Sequence, residues 1–134
     1  MLEKVQQKAV SLVHGLRGAT YKEKCRELDL DLLSVRTERA DLIQVYKIMN
    51  GLDKVDEEKI FKRMPSTENG HRVTRHTSDQ MNLQQERSRL DIRKNGFAVR
   101  VVQPWNNLSR EIKRVPKLSQ FKTMIKKMCP GDRW

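Results

Sequence analysis

Along the first half of the chain, apolar residues recur at the three- and four-residue steps that bring side chains to one face of an α-helix. Leu2, Val5, Ala9, Leu12 and Val13 follow this rule and predict a first helix that Gly15 terminates. Thr20 followed by Glu23 has the spacing of a capping box, in which each residue satisfies the other's free backbone donor. It opens a short helix through Leu28, with Tyr21, Cys25 and Leu28 on its buried side. Asp31 is placed to cap the longest helix, whose apolar stripe is Leu32, Val35, Leu42, Ile43, Tyr46 and Met49 and whose end is Asn50-Gly51. Helices joined by such short links predict a small bundle, and Asp56 can cap one further brief helix through Phe61.

The helical pattern then stops. From Pro65 to about Gln85 the chain is polar and rich in turn formers, which predicts a mobile loop with a short extended stretch. Leu90 and Ile92 alternate with polar residues, as in a short strand laid against the bundle. Beyond them Asn95 is placed to cap a helix carrying Phe97, Val101, Trp105 and Leu108, which Pro104 should kink or restart. Ser109 and Ser119 are candidate caps of two last helices. The second would bury Leu118, Phe121, Ile125 and Met128, turn Lys122, Lys126 and Lys127 outward, and end at Cys129-Pro130-Gly131.

Charge changes this picture by dividing it. Residues 1–60 hold 11 Lys and Arg against 11 Asp and Glu, whereas residues 61–134 hold 17 against 6, so the whole formal charge of +11 belongs to the second half. A one-signed block implies a partner of the other sign, and a polyphosphate is the first candidate because Lys and Arg release its condensed counterions. Between Arg93 and Lys127 Glu111 is the sole acid against ten bases. Arg87, Arg89, Arg93, Lys94, Arg100, Lys113, Arg114, Lys122, Lys126 and Lys127 are therefore the candidate nucleic-acid contacts, Arg as a fork and Lys as a point charge. A solvated basic face is the plainer reading of the same residues. With aromatics at 5% and Phe97, Trp105 and Phe121 at core spacing, a base-stacking platform is not expected.

Other chemistry is poorly served. Asp29 and Asp31 flank a helix entry, and Asp56, Glu57 and Glu58 suit a helix N-terminus, so neither group resembles the carboxylates that hold two divalent cations. His14 is a surface or helix-end residue, and His71 and His76 lack a Cys or carboxylate at metal-site spacing. No metal, no cofactor and no catalytic residue is expected. Cys25 and Cys129 stand too far apart for a local framework and read as reduced thiols of an intracellular protein, nuclear or cytoplasmic. No apolar run approaches the roughly 20 residues of a membrane span, and no membrane partner is expected.

Several blocks resemble the region that follows the polymerase core in reverse transcriptases of non-LTR retrotransposons of the LINE, jockey-like kind. The opening LEKVQQKAVSLVHGLR is similar at Leu2, Glu3, Val5, Gln6, Lys8, Ala9, Gly15, Leu16 and Arg17, and Tyr21, Glu23, Lys24, Leu28 and Leu30 continue it. RADLIQVYKIMNGLDKVD is similar through Arg39, Asp41, Leu42, Ile43, Val45, Tyr46, Lys47, Gly51 and Val55. RSRLDIRKNGFAVRVVQPWNNL is similar from Arg87 to Leu108, with Trp105 and Asn106 at its heart, and Leu118, Phe121 and Lys122 follow. Cys25, Thr37, Gly96 and Ser109 depart from the family's usual leucine, arginine, aromatic and proline, as they would in a copy drifting without selection. The family's aromatic-x-Asp-Asp hairpin is absent from these residues.

The resemblance implies a thumb-proximal C-terminal region that contacts or positions RNA or an RNA/DNA hybrid, packs on the rest of the reverse transcriptase, and catalyses nothing itself. The fold expected is mainly α: a helical unit over 1–62, a flexible basic linker over 63–86, a basic helical unit over 87–129 and a tail over 130–134, with room for a short β pair. Two alternatives stand beside it. One is a protein-interaction module whose Trp105 and Phe121 surfaces normally pack on the polymerase; the other is a non-functional fossil reading frame.

Overall fold

A computed structural model describes residues 2–64 and 81–128 and is mainly helical. The expectations for His71, His76, Cys129 and the tail over 130–134 lie outside these residues. The capping box forms as the spacing requires. Thr20 N donates to Glu23 Oε2 at 2.7 Å and Glu23 N to Thr20 Oγ1 at 3.4 Å, opening α2 (Tyr21–Glu27). Before it runs α1 (Leu2–Ser11), and after it α3 (Leu33–Met49), closed at Asn50 with Gly51 at φ 65°.

Asp31 does not cap α3. The N-cap is Leu32, whose side chain has no polar atom to offer, while the Asp31 carboxylate pairs with Arg39 eight residues along. The free donors at the start of α3 are served from another helix: Ser34 N donates to Glu3 Oε2 at 3.2 Å. The other oxygen of Glu3 accepts from Tyr21 Oη at 2.7 Å, and Gln6 Nε2 reaches the Asp31 carbonyl at 3.2 Å. Burial raises the Tyr21 phenol pKa, reinforced by its bond to the Glu3 carboxylate.

These polar contacts turn α1 the other way from its apolar periodicity. Glu3, Gln6 and Val10 face inward, and Val10 joins Cys25, Leu32 and Val35 in a small core, while Leu2, Val5, Ala9 and Leu12 face solvent.

The larger core is built around the second half of α3. Leu42, Val45, Tyr46, Ile48 and Met49 pack with Phe61, Leu83, Val101, Val102, Trp105, Leu108, Phe121 and Ile125. Tyr46 and Phe121 stack with centroids 4.2 Å apart, and Trp105 lies against Phe121 at 6.2 Å. The expected unit over 1–62 is therefore not closed on itself, since half of α3 buries its stripe against the C-terminal helices. Trp105 and Phe121 are fully buried here, which removes them as an exposed docking surface.

After α4 (Glu57–Ile60), residues 62–64 pair antiparallel with 82–84 about a single bridge, Arg63 to Leu83. Met64 N donates to the Asn82 carbonyl at 2.9 Å and Gln84 N to the Lys62 carbonyl at 2.7 Å. Linker expected from 63 to 86 is thus fixed at both described ends, with Leu83 buried in the core. Residues 65–80 of it lie outside the described part.

Leu90 and Ile92 do not form a strand. They sit at the entrance and within one helical turn, α5 (Asp91–Lys94), and are 71% and 90% exposed. Asn95 ends that turn, and Gly96 is the N-cap of α6 (Phe97–Arg100). The expected break at Pro104 occurs at Val101, between α6 and α7 (Val102–Asn106), because the proline has no N–H for the Arg100 carbonyl. Ser109 precedes α8 (Arg110–Lys113) without a side-chain cap bond. Ser119 lies inside α9 (Leu118–Met128), where its carbonyl accepts from Thr123 Oγ1 at 3.0 Å. As expected, α9 buries Phe121 and Ile125 and turns Lys122, Lys126 and Lys127 outward.

Candidate nucleic-acid interface

Ten bases that are alike in sequence separate into different environments once the chain folds. Lys113 is 1% exposed and donates to Asn82 Oδ1 at 2.5 Å and to the Asn106 carbonyl at 3.4 Å. It belongs to a clamp that holds residues 81–83 on the core. Asn106 closes the clamp by accepting from Leu83 N at 2.9 Å and donating to the Leu83 carbonyl at 2.8 Å, and Trp105 Nε1 donates to the Met81 carbonyl at 2.8 Å. A cation spent in this way cannot meet a phosphate, so Lys113 leaves the candidate set. No pattern in the sequence sets it apart from the other lysines; its partner Asn82 stands 31 residues away.

Arg100 is also committed. Its Nε and Nη2 grip the two oxygens of Asp41 on α3 at 2.8 and 2.9 Å, and Nη1 donates to the Asn95 carbonyl at 3.2 Å. The Asp41 carboxylate raises the guanidinium pKa above its usual value. This fork pins α6 to α3 and fixes the exit of α5 at the same time.

The first surviving group surrounds α5. Arg87 and Arg89 are exposed and form no ion pair among the described residues. Arg93 Nη2 meets Glu86 Oε2 at 3.2 Å, and Lys94 Nζ meets Asp91 Oδ1 at 3.3 Å. Both are surface pairs, worth little in water and open to exchange for a phosphate. Glu86 also holds Lys62 at 2.8 Å, and these neighbours, Lys62 first, keep its carboxyl below the usual range. Lys62 and Arg93 line one groove with Lys59 and the carboxylates of Glu58 and Glu86, so α4 and the bridged segment bring charges of both signs to this group that the sequence did not associate with it.

The second group lies at the end of α8 and along α9. Arg114, Lys122, Lys126 and Lys127 are all exposed, and none has an acidic partner among the described residues. Lys122 and Lys126 stand one turn apart on a continuous stripe, and Arg114 and Lys127 line a shallow groove of about 530 Å³ in which Glu111 is the sole acid.

No group of three or more His, Cys, Asp or Glu among the described residues could hold a metal ion, and no described helix is long and apolar enough to cross a membrane. Cys25 is buried and free. No family model, curated protein or solved structure matches the chain.

Proposed function

We propose that this chain is a non-catalytic, nucleic-acid-contacting segment of a non-LTR retrotransposon reverse transcriptase, holding the phosphate backbone of RNA or of an RNA/DNA hybrid. The observation that carries the reading is the exposure of Arg114, Lys122, Lys126 and Lys127 on one short stretch where Glu111 is the sole acid. Bases left without acidic partners are free to displace counterions from a polyanion, and this term is the principal source of sequence-independent affinity. The family part of the reading is supported by the blocks quoted above. Two of them meet in space: Asp41 of the first pairs with Arg100 of the second, and Trp105 and Asn106 hold the segment between them.

The test replaces Lys122, Lys126 and Lys127 by Glu and measures binding to a labelled RNA/DNA hybrid by fluorescence anisotropy. All three are exposed, so circular dichroism should be unchanged. The expected result is a loss of affinity of more than about tenfold at low salt. Unchanged affinity would overturn the assignment.

A further inference from the structure

The turn at α5 carries an unusual combination. Ile92 is 90% exposed and Leu90 71% exposed, on a turn that hydrogen bonds tie at both ends. On its entry side Ser88 Oγ donates to the Leu90 carbonyl at 3.1 Å. The same carbonyl accepts from the backbone N–H groups of Arg93 and Lys94, both at 3.1 Å. On the exit side the Asn95 carbonyl accepts from Arg100, itself locked to Asp41. At Gly96 the chain passes close to the preceding turn, and a Cβ there would lie 3.1 Å from the Arg93 carbonyl. The result is a turn that leaves Leu90 and Ile92 in solvent on either side of the exposed Asp91, with the exposed Arg87, Arg89, Arg93 and Lys94 next to them along the chain.

We infer that Leu90 and Ile92 form a wedge that enters a base step of a double-stranded nucleic acid while the surrounding bases hold the phosphates on either side. The inference rests on the nucleic-acid reading above and specifies how part of that surface works. Charge complementarity selects the occupant, because residues 86–94 carry four bases against two acids, Glu86 and Asp91. Three of the four bases are Arg, whose planar fork fits phosphate oxygens and stacks on bases. Aliphatic wedges flanked by bases are a recurrent means of partly unstacking a duplex step. Single strands are a poorer match, because they are bound by stacking on aromatic faces and the turn has none. An anionic membrane is a poorer match too, because two aliphatic side chains without Trp or Phe offer little apolar area to the headgroup region.

The test uses a hybrid duplex with 2-aminopurine in its DNA strand, the matching single strand, and vesicles containing phosphatidylserine. Wild type is compared with the double variant Leu90→Ser, Ile92→Ser, whose circular dichroism should match because both positions are exposed. The expected result is a rise in 2-aminopurine fluorescence on wild-type binding that the variant does not produce. The variant should bind the duplex roughly tenfold more weakly, with an unchanged salt slope. Wild-type binding with no fluorescence rise, or with the same rise in the variant, overturns the wedge and leaves phosphate contact standing. No duplex binding at all overturns both. Vesicle binding that depends on Leu90 and Ile92, with no change in 2-aminopurine, overturns the wedge in favour of a membrane contact.

Discussion

Lys113 shows how a side chain's role depends on what the fold brings to it. Its ammonium sits between Asn82 and Asn106 inside the core, so removing it leaves buried polar groups short of a partner. Lys113→Ala should destabilise the fold by about 1–3 kcal/mol, read as a lower denaturant midpoint, and leave the salt dependence of nucleic-acid binding unchanged. Lys126→Ala should do the reverse. Glu23 supplies a pH prediction. Its carboxylate accepts from the Thr20 backbone and hydroxyl, contacts that lower its pKa from the ordinary value. A folded-state pKa below the unfolded one means that the capping contribution is complete above the ordinary carboxylate range and disappears as pH falls through the depressed value. The Thr20 amide proton should report that titration by NMR at a midpoint below the usual Glu value; a midpoint at or above it would contradict the capping geometry. The box was legible from Thr20 and Glu23 alone because both partners lie within one turn. The fates of Lys113, Arg100 and Asp31 were not, because each is decided by a residue distant in sequence or by a competing neighbour.

Among the elements, α1 gives the clearest case of a pattern that locates a helix without orienting it. Periodicity in Leu2, Val5 and Ala9 marks the helix, which ends at Ser11 and not at Gly15, but the bonds from Tyr21 and Ser34 to Glu3 and from Gln6 to Asp31 hold the opposite face against α2 and α3. Val5→Ser and Leu12→Ser should accordingly change stability by no more than about 0.5 kcal/mol, whereas Val10→Ala should cost roughly 1–2 kcal/mol. Equal losses at Val5 and Val10 in urea unfolding would show that the helix docks by its apolar stripe instead. The alternation at Leu90 and Ile92 misled for a related reason. Period two suits a strand only where a neighbour completes the ladder, and here Asp91 enters a helical turn that exposes both apolar side chains. Helices α3 and α9 were readable because their stripes are wide and their polar faces unambiguous. The break before Pro104 was readable because proline acts through its own backbone.

At the scale of the whole molecule, the chain is tied together by α3. Its first half packs in the small core with α1 and α2, its second half in the large core with Trp105, Phe121 and Ile125. A fragment of residues 1–62 would leave Leu42, Val45, Tyr46 and Met49 without their partners. It should show weak helicity and no cooperative thermal transition, since short helices draw their stability from tertiary packing. A sharp transition matching that of the full chain would contradict the shared core. The sequence division at residue 62 followed the change in charge and the loss of helical pattern, neither of which reports which helices share a core. That change in charge is nevertheless what the functional reading rests on. After folding it persists as exposed bases around α5 and along α8 and α9, with Arg100 and Lys113 withdrawn into structural roles. The most direct measurement is the slope of log affinity against log salt for an RNA/DNA hybrid, comparing wild type with a variant carrying Ala at Arg87, Arg89, Arg114, Lys122, Lys126 and Lys127. A steep negative slope that flattens in the variant, by about 0.9 for each phosphate contact removed, is the result expected of a phosphate-binding surface. A wild-type slope near zero, or one the six substitutions leave unchanged, would contradict it.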